Sequence, residues 1–365
     1  MPQTISIDHL RRYAVARSLF TPTTLLRAIT RLGFVQADPL RAPARAQDLT
    51  LRHRVKGYQA GDLDRRYPTL PIEEDFFVNY GFMPVAVNAL MHPRVPRTAW
   101  TKSRWAQAHA VLAFVQERGV VHPREVDEHF AHGKVKNWFG GTSNASTELL
   151  DGMHYRGLVR TAQRAGGVRL YAARPHHEAA VDADAAYDAL VDVAVNKYAP
   201  LPELSLNRLV SRVRYGAPQW TERVRDTVRR TKLRLPSVTL EGQRWFWPEG
   251  ENPASKRHAV PDAVRLLAPF DPVVWDRRRF ELLWGWPYRF EAYTPASKRL
   301  RGHYALPLLW REQVIGWGNL SMAGGRLVHD IGFVAGRAPR EAAFGVALAE
   351  ELARMQAFLK PQAIF

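Results

Sequence analysis

The feature that most restricts the fold is a succession of helix signals that ends in a hairpin signal. A run over 111–118 is amphipathic and breaks at Gly119, and His122-Pro123 begins the next helix. A third helix is predicted over 145–156, after which strand-like runs with basic flanks surround Gly166-Gly167. Helices followed by a hairpin with a tight turn are typical of a winged helix.

Two weaker patterns of the same kind flank this one. Two short helices, the second ending at Gly33, resemble a helix-turn-helix unit, and a looser copy runs over 185–247. A segment rich in Gly, Pro, Glu and Asn, residues 248–253, then separates the C-terminal part. The chain is therefore predicted to be an α+β protein of tandem winged-helix (helix-turn-helix) domains and a C-terminal β-rich domain. The predicted boundaries are 1–100, 101–180, 181–250 and 251–365.

The C-terminal part changes to strand-like alternation. Four runs, 288–293, 303–310, 313–320 and 327–334, predict a small antiparallel sheet. An amphipathic helix over 339–359 is expected to cap it.

The charge balance points to a polyanionic partner. Lys and Arg outnumber Asp and Glu by 52 to 35, which gives a net charge of +17. Such a surplus favours DNA or RNA binding, although a generally arginine-rich proteome explains it equally well. The sequence has no cysteine, so disulfides, thiol catalysis and Cys-based metal sites are excluded. With no apolar run of membrane-spanning length and no signal-peptide layout, a cytoplasmic, nucleoid-associated protein is expected.

A polar motif ends the apolar run that follows Gly33. The run ends in Gln36, Ala37 and Asp38, and Pro39 prevents it from continuing as a helix or strand. A partly desolvated carboxylate beside an amide is suited to orienting and deprotonating a water molecule. An ordinary Asp-Pro turn is the alternative, and spacing alone favours it.

Three further stretches carry a family resemblance. Residues 268–279, which read Ala-Pro-Phe-Asp-Pro-Val-Val-Trp-Asp-Arg-Arg-Arg, together with 288–299 and 306–309, resemble the C-terminal region of the AlkZ-like DNA glycosylases. These winged-helix enzymes, which include the YcaQ branch, release alkylated bases and unhook interstrand crosslinks. The resemblance covers nearly the whole chain. Gln36-Ala37-Asp38 matches the Gln-aliphatic-Asp form of the family's catalytic motif, which is associated with the YcaQ branch.

The resemblance implies a monofunctional DNA glycosylase of base excision repair. Its expected substrate is double-stranded DNA with N7-alkylguanine-type bases or crosslinks, and the expected state is a monomer without metal or cofactor. Asp38 would stabilise the developing cation on the sugar and activate water, while Gln36 holds that water. Such an enzyme leaves an abasic site without cutting the strand.

Basic residues near the motif and in the C-terminal run are candidate phosphate contacts. They are Arg41, Arg45, Arg52, Arg54, Arg277, Arg278 and Arg279. A solvated helix face is an equal alternative for the first group. For the last three, pairing with Asp271, Asp276 and Glu291 to tie the C-terminal domain in place is the alternative.

The sequence departs from the YcaQ pattern at one point. A His-Glu pair usually precedes the Phe-Met-Pro seen here at residues 82–84, and this chain lacks it. Asn79 and Tyr80 are candidates to replace the pair as hydrogen-bonding groups near the substrate. Two other functions stay open, a non-catalytic winged-helix DNA-binding regulator or architectural protein and a hydrolase acting on RNA or nucleotides.

Overall fold

The computed structural model describes residues 4–136, 141–175 and 182–360. The boundary predicted at residues 180 and 181 lies outside this description. The helices are α1 (Ile7–Ser18), α2 (Leu25–Leu32), α3 (Ala46–Leu51), α4 (Asp62–Arg66), α5 (Val85–Ala89), α6 (Lys102–Arg118), α7 (Pro123–Phe130), α8 (Ala145–Arg156), α9 (Ala183–Tyr198), α10 (Glu203–Arg212), α11 (Val224–Arg234), α12 (Arg277–Trp284) and α13 (Ala342–Leu359).

The strands form small antiparallel sheets. They are β1 (Val35–Gln36), β2 (Ile72–Phe76), β3 (Tyr80–Pro84), β4 (Val120–Val121), β5 (Lys134–Lys136), β6 (Thr142–Asn144), β7 (Val159–Ala165), β8 (Val168–Ala173), β9 (Leu201–Pro202), β10 (Ser237–Leu240), β11 (Gln243–Phe246), β12 (Val264–Leu266), β13 (Leu306–Trp310), β14 (Gln313–Ala323) and β15 (Arg326–Phe333). Their orders are β1-β3-β2, β4-β8-β7, β5-β6, β10-β11-β9 and β12-β13-β14-β15. The prediction of a fold that mixes helices with antiparallel sheets is confirmed.

The region from α6 to β8 has a core of its own. Val111 and Val115 of α6 pack with Leu149 and Met153 of α8 and with Tyr171 of β8. β7 and β8 are joined at Gly166 and Gly167, whose φ values of 57° and 88° suit glycine. The hairpin predicted around this pair is therefore present.

The C-terminal sheet differs from its prediction at one edge. Residues 288–293 form no strand, and β12 takes the edge position beside β13. The Tyr288 ring is buried against Phe280 and Trp286, and the Glu291 carboxylate accepts backbone N–H bonds from Leu300 and Arg301. The alternating aromatic residues of 288–293 thus belong to a loop, which is held by the hydrogen bonds that the Glu291 carboxylate accepts. Helix α13 covers the sheet as predicted, with Phe344, Met355 and Phe358 in its core.

The first hundred residues share their cores with later parts of the chain. Ile29 of α2 and Phe82 of β3 lie in one core with Leu266 and Leu308 of the C-terminal sheet. A second core joins Phe34 and Met83 to α9 and α10, and a third joins α1 to α12. Among the described helices, none is long and apolar enough to cross a membrane.

Candidate active site

The motif is presented by a sharp turn into a short strand. α2 ends at Gly33 with φ 66°, and a Cβ at that position would lie 2.6 Å from Val193 Cγ1. β1 follows at once and pairs with β3, with Gln36 opposite Gly81. Phe34 and Val35 are fully buried, whereas Gln36 is partly exposed at the end of the strand. The turn and the buried pair thereby fix where the motif reaches the surface.

The side chain of Gln36 is held in one orientation. Its Oε1 accepts a hydrogen bond from Asn79 Nδ2 at 3.1 Å and another from Trp275 Nε1 at 2.9 Å. Because an indole N–H can only donate, the carbonyl of Gln36 must face Trp275. The NH₂ group of Gln36 then remains to donate to whatever binds there. Trp275 is itself stacked on Tyr198, with ring centroids 4.5 Å apart.

Asp38 lies in a turn and also faces a cavity. Its Oδ1 accepts the backbone N–H of Leu40 at 2.9 Å, and its own N–H donates to Gln47 Oε1 at 3.2 Å. Partial burial raises the pKa of the Asp38 carboxyl above its usual value. Among the described residues, no cationic side chain forms an ion pair with it. The Asp-Pro turn and the half-buried carboxylate are therefore both present at the same residue.

Two cavities flank the motif. The Asp38 cavity has a volume of about 630 Å³ and lies between the first hundred residues and the region of α8, β7 and β8. Besides Asp38, its walls include Arg45, Phe76, Tyr80, Asp151, His154, Tyr155, Arg164 and Arg169.

The Gln36 cavity is smaller and basic. Its volume is about 400 Å³, and Asn79 and Trp275 line it together with Gln36. Four arginines also line it, and among the described residues none of the four has a carboxylate partner. They are Arg208, Arg212, Arg277 and Arg278. Guanidinium groups that line a cavity without an ion-pair partner are suited to phosphate oxygens.

Several residues predicted for the site do lie around these cavities. Asn79 contacts Gln36, and the Tyr80 hydroxyl accepts a hydrogen bond from Arg169 at 3.2 Å in the Asp38 cavity. Arg45 lines the same cavity and is paired with Asp64. Arg41 is exposed near the motif and lines neither cavity.

Three predicted phosphate contacts are corrected by the structure. Arg52 is paired with Glu351 of α13, and its side chain is almost fully buried. Arg54 is fully buried and donates to both oxygens of Asp271, at 2.8 and 3.0 Å. Arg279 is fully buried against backbone carbonyls, including that of Val273 at 2.8 Å. These guanidinium groups hold parts of the fold together, so they are not available to a phosphate.

The predicted tie of residues 277–279 to nearby carboxylates is also corrected. Asp271 binds Arg54, and Asp276 accepts the N–H of Arg279 as the cap of α12. Among the described residues, no side chain of the arginine run therefore forms an ion pair with these acids.

Other residues of the site were missed in the sequence. Trp275 lies within the stretch 268–279 that carries the family resemblance. Its indole N–H bonds to Gln36, which is 239 residues away, so no local sequence pattern predicts this contact. Arg208 and Arg212 are one helical turn apart on α10 with Leu209 buried between them, so their i,i+4 spacing was a usable signal. Tyr155 and Asp151 reach the Asp38 cavity only through the packing of α8.

Two comparisons relate the chain to known proteins. A family model described as DNA glycosylase AlkZ-like matches residues 29–358. Among solved structures, the chain is similar to the Streptomyces sahachiroi DNA glycosylase AlkZ with a TM-score of 0.61 and 15% sequence identity. The likeness covers 98% of this chain and 97% of that one, and at this identity it shows a common fold.

Proposed function

Because the chain belongs to the AlkZ-like DNA glycosylase family, and is therefore a DNA-acting enzyme, we propose that it removes alkylated purines of the N7-alkylguanine type from double-stranded DNA. Interstrand crosslinks made through the same ring nitrogen are the second lesion class in this proposal. The observation that carries it is the half-buried carboxylate of Asp38, free of any cationic partner among the described residues, on the same strand end as the fixed amide of Gln36.

The chemistry suits a base that is already a cation. Alkylation at N7 gives the purine a positive charge, so the base can leave without a proton from an acid. Asp38 would lower the energy of the positive charge that develops at C1′. A water that accepts an N–H from Gln36 and donates to Asp38 attacks C1′. Its proton passes to Asp38, and the electrons of the broken C–N bond neutralise the base.

The product is proposed to be an intact abasic site. Strand-cutting glycosylases use an amine nucleophile, and in the part of the chain that the structure describes no lysine lines either cavity beside the motif. Lys197 lies fully buried and donates to the carbonyl of Phe34. It therefore has no path to a sugar carbon, which favours a monofunctional reaction.

We also propose how the chain holds DNA. The order of α6, α7, α8 and the β7–β8 hairpin is that of a winged helix, and the regions before and after it are proposed as further copies in tandem. Arg41, Arg45, Arg277 and Arg278 remain proposed phosphate contacts, to which Arg208 and Arg212 are added. A monomer is proposed to carry all of these contacts.

The test is release of base from a duplex with a single N7-methylguanine. The wild type should leave an alkali-labile site. Asp38→Asn should lower the single-turnover rate by about 100-fold or more, the usual effect of losing a proton acceptor. Gln36→Ala should also lower it. Asp262→Asn, which removes a carboxylate paired with Arg311 away from both cavities, is the matched control and should react as the wild type.

One outcome would contradict the proposal. If the wild type binds the duplex but releases nothing from it or from a crosslinked duplex, the chain does not act on these lesions. The missing His-Glu pair would then be the leading explanation, and a DNA-binding role without this chemistry would be the better description.

A further inference from the structure

The wall of the Asp38 cavity carries an aromatic side chain that the protein leaves uncovered. Phe76 ends β2 and is 41% exposed although it is large and apolar. Its ring meets the edges of Tyr80 at 5.1 Å and of Tyr155 at 6.0 Å between centroids. Tyr80 comes from the same sheet as the motif, and Tyr155 comes from α8. The three rings line the Asp38 cavity as an aromatic corner. Arg169 lies over the Tyr80 ring at 5.6 Å and Arg94 over the Tyr155 ring at 4.4 Å, so Phe76 supplies the uncovered ring.

The charges of the same cavity cancel except at one residue. Arg45 is paired with Asp64, Arg164 with Glu74, and Arg169 with Asp151 at 2.6 Å. Burial lowers the pKa of His154, so that imidazole is neutral at pH 7. Asp38 is left without a balancing cation among the described residues, and the cavity therefore carries about one negative charge.

The size of the cavity also restricts its occupant. A volume of about 630 Å³ lies within the range of pockets that enclose small molecules. A purine fills only part of that space, which leaves room for a substituent on the ring. On the other side of the motif, the Gln36 cavity presents four arginines that suit a phosphate.

We propose that the Asp38 cavity receives the alkylated base itself, as a purine cation rotated out of the helix. The base stacks on the aromatic corner of Phe76, Tyr80 and Tyr155, its charge faces Asp38, and its phosphate stays in the Gln36 cavity. Cations bind both to carboxylates and to aromatic faces, so both features select for charge. The inference rests on the proposed glycosylase function and specifies how a single adduct is recognised. A crosslinked base is tied to both strands and cannot make this movement.

The first test separates charge from shape. Two duplexes are compared at equal salt concentration, one with 7-methylguanine on a 2′-fluorinated sugar that resists cleavage and one with 7-methyl-7-deazaguanine. The two bases have the same outline, but only the first is a cation. The wild type should bind the cation about tenfold more tightly. Asp38→Asn and Phe76→Ala should each remove most of that preference, whereas Tyr293→Ala, which truncates an aromatic residue that is 80% exposed elsewhere, should keep it.

The second test detects the movement of the base. A 2-aminopurine next to the lesion becomes fluorescent when its neighbour leaves the stack. Wild type should increase this fluorescence with the cationic lesion, and Phe76→Ala should not. For base release, Phe76→Ala should slow the single adduct at least tenfold, whereas Tyr293→Ala should release it at the wild-type rate. Circular dichroism and thermal unfolding verify that the variant is folded.

The two proposals fail in different ways. Equal affinity for the charged and neutral bases, with no rise in fluorescence, overturns the cavity assignment even if the wild type releases base. Preference for the cation and a rise in fluorescence, without any release of base, support the cavity assignment and overturn the proposed reaction.

Discussion

Asp38 uses its two oxygens for different purposes. Oδ1 accepts the N–H of Leu40 and stabilises the turn that Pro39 imposes, which leaves Oδ2 for a second partner. The two interpretations of the sequence, a turn and a catalytic carboxylate, are thus compatible at one residue. The turn also restricts the rotamer of the carboxylate, so the second oxygen has a defined direction.

The raised pKa of Asp38 gives a prediction for the pH dependence of the reaction. A proton acceptor must be ionised, and activity is lost as pH falls through its pKa in the folded protein. The acid limb of kcat/KM should therefore have unit slope and a midpoint above the ordinary Asp value of about 4. Measuring base release from the N7-methylguanine duplex at constant ionic strength checks this. A midpoint below 4 would show that another group controls the limb.

Trp275 should act on the rate through the orientation of Gln36. Trp275→Phe keeps most of the ring that stacks on Tyr198 and removes the N–H donated to Gln36 Oε1. A hydrogen bond of this kind contributes about 0.5–1.5 kcal/mol, so kcat should fall about 2- to 13-fold with little change in KM. Trp284→Phe is the matched control, because it loses an indole bond to the Glu312 carbonyl outside both cavities. An equal loss in both variants would point to a general effect on stability.

At the scale of elements, residue types in the sequence predicted the turns well, but they did not predict which residues pair across long distances in the chain. Gly33 and the Gly166-Gly167 pair were identified because a left-handed backbone is a property of the residue itself. Arg54 was misassigned because its partner Asp271 lies 217 residues away. Residues 288–293 were misassigned because aromatic packing imitates strand alternation. For the site, Gln36 and Asp38 came from a contiguous motif, whereas Trp275 and Tyr155 depend on packing that no local pattern records.

The buried pair of Arg54 and Asp271 should be critical for stability. It joins the segment after α3 to the segment before α12, with both side chains fully buried. Asp271→Asn leaves the guanidinium without its carboxylate and should lower the free energy of unfolding by about 3–5 kcal/mol in urea titrations. Asp262→Asn breaks an exposed pair with Arg311 and should cost less than about 1 kcal/mol. Similar losses in both variants would contradict the assignment.

At the scale of the whole molecule, cores and charges connect the regions in different ways. The first hundred residues share apolar cores with the C-terminal sheet and with α9 and α10. The region from α6 to β8 has its own core, and the acids of β2 hold its hairpin. Glu73 accepts from Arg160 at 2.7 Å and Glu74 from Arg164 at 2.9 Å. The shared apolar cores thus hold the segment that carries Gln36 and Asp38. The opposite wall of the Asp38 cavity, formed by α8, β7 and β8, is joined to β2 through ion pairs.

Hydrogen exchange should report these connections. Leu308→Ala removes a fully buried side chain from the core that β13 shares with α2, and should destabilise both elements by about 2–5 kcal/mol. Helix α8 should retain its protection. Leu149→Ala in the separate core is the matched control and should weaken α8 alone. Loss of protection in α8 with Leu308→Ala would show that the regions open as one unit.

The shared core also sets the order of events during synthesis. Residues 20–82 leave the ribosome before residues 264–358, which complete their apolar core. Until then, the apolar surface of residues 20–82 remains partly uncovered. The segment that carries Gln36 and Asp38 therefore acquires its complete packing only after residues 264–358 have been synthesised. A chain that terminates before residue 264 should therefore be inactive in base release.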